Sequence, residues 1–121
     1  MMKVAITAQG SSLDAALAPR FGRCQYLLLC NTAGGDWQAV PNPVASQPGG
    51  VGIAMAQYLT KEKVQALITG NLGPNAARAL AAAGIGAYIA QGGSATAALQ
   101  AFVEGRLEQV TGPTVSAHSG M

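Results

Sequence analysis

Carboxylates are scarce in this 121-residue chain: Asp14, Asp36, Glu62, Glu104 and Glu108 are all it has. No two of them are spaced to converge as a pair, which argues against general acid–base catalysis between carboxyl groups. His118 is the only histidine, and it lies in a segment without periodicity. The two cysteines, Cys24 and Cys30, flank a predicted strand. An extended stretch of that length holds their Cα atoms roughly 20 Å apart, far beyond disulfide reach. Their spacing also fails the usual zinc patterns and offers no multi-cysteine ferredoxin motif. Aromatic residues make up only 5 % of the chain, and alanine and glycine supply much of its apolar half. No apolar run approaches the roughly 18 residues of a membrane span. The start, Met1-Met2-Lys3-Val4, leads into a strand without an apolar leader, so a cytoplasmic protein with no membrane partner is expected. A formal charge of +2, with no basic stripe, argues against nucleic acid.

What the chain does have is glycine in turns. In Gly70-Asn71-Leu72-Gly73-Pro74-Asn75-Ala76 the turn follows a short β-branched apolar run, residues 64–69, that reads as a buried strand. A helical pattern over 76–83 comes next and stops at Gly84. Proline suits the first helical position and glycine the left-handed position after the last turn. Unbonded N–H groups at such a helix start carry partial positive charge, which makes the joint a candidate anion site. The alternative is a tight turn that needs glycine only for its dihedrals.

Read in order, strands are predicted over 3–8, 25–30 and 37–40, with a hairpin turn around Gly34-Gly35. A helix over 51–59 would place Ile53, Met55 or Ala56, and Leu59 on its apolar face. A strand over 85–90 and a helix over 95–104 follow, the latter capped by Ser94, with Leu99, Phe102 and Val103 as its apolar face and Gly105 as its stop. The order βββ-α-β-α-β-α predicts a single-domain α/β fold, a five-stranded mixed sheet flanked by helices with right-handed crossovers. The domain is expected to span 1–110, with 111–121 a flexible C-terminal tail. Ligands of such sheets sit beyond the carboxyl ends of the parallel strands. The loops 9–14, 70–75 and 91–94 should gather there.

The strand order resembles the ribonuclease H-like fold, whose nucleases place metal-binding carboxylates on the first strand. Residues 3–8 contain none, so two-metal phosphodiester chemistry is disfavoured. The remaining polar inventory is Arg20 and Arg23 around Gly22, with Cys24 beside them. Cations close in space would lower that thiol's pKa, and a loop-to-strand junction could expose it; most such cysteines simply pack. The alternative for the arginines is that they are ordinary surface charges or partners of Asp14. Together these groups suit binding an anion better than transforming one.

The motifs Pro19-Arg20-Phe21-Gly22-Arg23, Asn42-Pro43, Gly49-Gly50-Val51-Gly52, the central turn, Gly92-Gly93 and the ending His118-Ser119-Gly120-Met121 occur in one order along nearly the whole chain. In this the chain resembles the dinitrogenase iron–molybdenum cofactor biosynthesis family. The resemblance implies a ribonuclease H-like sheet. It also implies non-enzymatic binding or carriage of a molybdenum-containing metal–sulfur cluster, held non-covalently. A mixed molybdenum–copper sulfide or an iron–molybdenum cofactor precursor is the implied cargo. The alternative function is a metal-free regulatory or scaffold protein acting through a protein partner.

A thiomolybdate-type cluster brings its own sulfides, so its host needs oriented N–H donors, cations and apolar walls rather than many thiolates. The expected binding residues are Arg20, Arg23, Gly49, Gly50, Gly52, Asn71, Gly73 and Asn75. Soft copper would favour Cys24 or His118 as a direct ligand. The His118 tail is expected to fold over the site.

Overall fold

A computed structural model describes residues 2–44 and 49–110; the expected tail and His118 lie outside the described residues. The strands are β1 (Lys3–Ala8), β2 (Tyr26–Asn31), β3 (Trp37–Pro41), β4 (Ala66–Thr69), β5 (Gly86–Ile89) and β6 (Glu108–Val110). The helices are α1 (Val51–Lys61), α2 (Pro74–Ala83) and α3 (Ala95–Val103). The sheet is six-stranded, in the order β3-β2-β1-β4-β5-β6. β1, β4 and β5 run parallel, while β2, β3 and β6 are antiparallel to their neighbours. The architecture is therefore the expected single α/β domain, with one strand more than five. The extra strand, Glu-Gln-Val, is short and largely exposed, so nothing in its own pattern marks it; β5 supplies the ladder that makes it a strand.

Alternation of side chains divides the core into two layers. Ala5, Leu27, Leu29 and Leu67 face one side and pack against Met55, Leu59, Leu72 and Leu80 of the α1–α2 layer. Val4, Ile6, Leu28 and Ile68 face the other side and pack with Ala95 and Ala98 of α3. These central strands are apolar on both faces, as a parallel sheet covered by helices requires.

Pro41 sits on β3, an edge strand, where its missing N–H costs no ladder bond. Pro74 occupies the first turn of α2, and Gly84 ends that helix at φ 74°. Ser94 caps α3 by accepting from Ala97 N–H at 3.1 Å. Two expected core positions are not in the core. Ile53 is 52 % exposed and Val103 is 61 % exposed, because the buried faces of α1 and α3 pass to one side of them. Met55, Ala56 and Leu59 form the buried face of α1, and Ala95, Ala98 and Ala101 that of α3. Among the described residues no helix is long and apolar enough to cross a membrane.

Candidate functional site

The carboxyl ends of β1, β4 and β5 are stitched to one another by the loops that leave them. Gln9 N–H donates to Ala16 O and Leu17 N–H donates to Gly93 O, each at 2.9 Å. Ala16 also bridges to Ser94, which ties the first loop to the start of α3. The chain then turns back along the sheet edge. Ala18 N–H donates to Thr7 O, and Arg20 pairs in parallel with Asn71. A Cβ on Gly70 would stand 2.7 Å from Pro19 Cα, so the arginine loop lies directly on the central turn.

Two threonines beneath this crossing escaped the sequence reading. Thr7 is the penultimate residue of β1 and Thr69 the last of β4, and both are fully buried. Thr7 Oγ1 lies 2.8 Å from Ala18 O and 2.9 Å from Thr69 Oγ1. One hydroxyl has one proton, so when Thr7 donates to Ala18 the Thr69 hydroxyl donates to Thr7. Their signal in the sequence was a polar β-branched residue near the same end of two otherwise apolar strands.

On its other side the arginine loop meets α1. A Cβ on Gly22 would fall 2.6 Å from Val51 Cγ1. The starts of α1 and α2 touch in turn, since a Cβ on Gly52 would lie 3.0 Å from Ala76 Cα. Gly50 and Gly73 are the N-cap residues of these helices, so neither N-cap has a side chain to offer. Their first intrahelical bonds are Ala54 N–H to Gly50 O and Ala77 N–H to Gly73 O. The positive ends of two helix dipoles thus lie side by side next to the arginine loop.

The structure brings together Arg20, Arg23, Gly49, Gly50, Gly52, Asn71 and Gly73 along this edge. Arg20 and Arg23 are exposed there. Asn75 is present but engaged, its Oδ1 accepting from Arg78 Nη2 at 3.0 Å. Beside Asn71 a cleft of about 310 Å³ is lined by Gly70, Ile89, Gln91, Glu108 and Val110. The Glu108 carboxylate makes that side less hospitable to an anion than the arginine side.

Cys24 departs from expectation. It is 4 % exposed and packed in the core beneath the arginine loop. Burial pushes its thiol up from 9.0 to about 11, the opposite of the lowering expected from neighbouring arginines. Desolvation outweighs cations whose charges remain in water. Cys30 is likewise buried and pushed up to about 11, and both cysteines are free. Among the described residues no group of three or more His, Cys, Asp or Glu is placed to hold a metal ion.

The family model described as dinitrogenase iron-molybdenum cofactor matches residues 2–105. The chain belongs to this family. Its fold superposes on the apo form of the orange protein from Desulfovibrio gigas with a TM-score of 0.89 and 34 % identity, covering 94 % of this chain and 97 % of that one. A putative NifB protein from Thermotoga gives a TM-score of 0.82 and 38 % identity, with the same 94 % and 97 % coverage. An uncharacterized protein of Methanocaldococcus jannaschii is 29 % identical over 112 residues, 90 % of this chain and 92 % of the relative. For this cofactor family the arrangement offers cations and aligned N–H groups at one sheet edge and few protein thiolates.

Proposed function

We propose that this member of the family carries a molybdenum-containing metal–sulfur cluster without covalent attachment and without catalysing a reaction. A mixed molybdenum–copper sulfide is the first choice of cargo and an iron–molybdenum cofactor precursor the second. The observation that carries the reading is the arginine loop packed between the central turn and two adjacent helix starts whose N-cap residues are glycines. A sulfide cluster is a bulky anion with its own ligands, and this edge offers what such an anion lacks: cations and directed N–H donors. In the proposed site Arg20 and Arg23 neutralise charge, and N–H groups near Gly49, Gly50, Gly52 and Gly73 meet sulfide edges. Asn71 and Asn75 supply polar rims.

Copper would favour a thiolate or imidazole. Burial keeps the Cys24 thiol protonated, which leaves His118, outside the described residues, as the proposed contact. The strand order β3-β2-β1-β4-β5 supports a ribonuclease H-like description of the fold. Cluster binding by residues 1–110, closure by the tail 111–121 and a cytoplasmic setting complete the proposal.

The test is to incubate the purified protein with tetrathiomolybdate and copper(I), remove excess reagent, and record the visible spectrum and metal content. A coloured protein with bound molybdenum is expected. A colourless, metal-free protein sinks the carrier reading and puts forward a scaffold that acts through a protein partner.

A further inference from the structure

Asn42-Pro43 belongs to the motif set, yet the proposed site makes no use of it. The structure places Asn42 just past β3, 8 % exposed, directly under the arginine loop. Its Nδ2 donates to Cys24 O at 2.7 Å and to Gly22 O at 3.2 Å. Those carbonyls stand on either side of Arg23. Both amide protons are thereby used, and Cys24 Sγ lies 3.8 Å from the same nitrogen. The amide oxygen accepts from Val44 N–H at 2.8 Å, and the Asn42 backbone N–H donates to Gln25 O at 3.0 Å. Pro43 confines Asn42 to an extended backbone, which holds the amide in place.

We propose that Asn42 is a positioning residue for Arg23: it grips the carbonyls of the residues before and after that arginine and so fixes where its side chain leaves the backbone at the anion site. The inference rests on the cluster-carrying reading above. The backbone from which the exposed Arg23 side chain departs is held by Asn42 below and by Val51 packed against Gly22. Only an amide serves here. A carboxylate would set acceptor oxygens against two carbonyl oxygens, and an aliphatic side chain would leave both carbonyls without a donor. An arginine on a fixed peptide meets its anion with less ordering left to do, so the grip acts on binding as well as on folding.

The test is a double-mutant cycle with Asn42→Ala, Arg23→Ala and the combined variant. Uptake of tetrathiomolybdate with copper(I) is titrated by its visible absorption, and stability is measured in parallel by denaturant unfolding. Asn42→Ala is expected to weaken loading about tenfold, the loss of roughly one charge-assisted contact. In the Arg23→Ala background that effect should vanish, while the stability lost to Asn42→Ala stays the same. A merely structural Asn42 would weaken loading equally in both backgrounds, and that result overturns the proposal. So does an Arg23→Ala variant that loads like the wild type. Should Asn42→Ala not fold, Asn42→Ser goes through the same cycle under the same criteria. A wild-type protein that takes up no probe overturns the carrier reading and this inference with it; the other failures overturn the inference alone.

Discussion

A thiol pushed up to about 11 by burial has consequences that can be measured without any ligand. The folded state favours the neutral thiol more than the unfolded state does, so the cysteine stabilises the fold fully below its unfolded pKa. That contribution is lost as pH rises from about 9 to about 11, and each tenfold weakening of a thiol's acidity on folding corresponds to about 1.4 kcal/mol. Wild-type stability measured by denaturant unfolding should therefore fall over this window. Cys24→Ala/Cys30→Ala should lack that share of the fall, and equal pH dependence in both proteins would mean the thiols are not held neutral. The threonine pair makes a second case. Thr7→Val leaves Ala18 O and the Thr69 hydroxyl without their partner in the core and should cost about 1–3 kcal/mol. Adding Thr69→Val removes one of the two orphaned groups, so the double variant should be less unstable than the sum of the single ones. Strict additivity in unfolding free energies would show that the hydroxyls do not act as a unit.

At the scale of elements, glycines in the site do different jobs. Gly70 lies where the arginine loop crosses the end of β4, and its would-be Cβ meets Pro19 backbone atoms at 2.7 and 3.0 Å. Backbone cannot swing aside, so Gly70→Ala should cost roughly 1–3 kcal/mol and displace the Arg20 loop. Gly73 has open space around it and an ordinary φ of −81°. Gly73→Ala should change stability by less than about 1 kcal/mol, the gain from a stiffer unfolded chain offset by alanine's poor N-capping. Thermal unfolding separates the two; similar losses at both positions would show that close approach is not what selects glycine at 70. The sequence marked both glycines in the same motif, and only the packing distinguishes them. The same holds for the helices. Ser94, Pro74 and Gly84 announced their helix ends because capping is local chemistry. Ile53 and Val103 misled because burial depends on which helix face meets the sheet, and here that face is Met55, Ala56 and Leu59 in α1 and three alanines in α3.

For the molecule as a whole, the order of strands and helices was legible because the apolar runs of β1, β2 and β4 are buried on both faces. β6 was not, since its three residues become a strand only by pairing with β5. The gathering of loops beyond the parallel strands followed from topology alone. The clasp of Asn42, the threonine pair and the burial of Cys24 did not, because each is a contact between segments far apart in the chain.

Charge gives the prediction that belongs to this scale. The chain carries only +2 overall, so attraction of an anionic cluster has to be local. Arg20 and Arg23 are exposed, and exposed charges are screened beyond about 10 Å at 0.1 M salt and about 3 Å at 1 M. With each arginine worth on the order of 1 kcal/mol at low salt, raising salt across that range should weaken cluster loading roughly tenfold. The Arg20→Ala/Arg23→Ala variant should load weakly at every salt concentration and respond little to it. Parallel salt dependences for wild type and variant would place the anion's electrostatic hold elsewhere. Helix-start N–H groups are then the next place to look, because their short directed bonds to an anion are screened least.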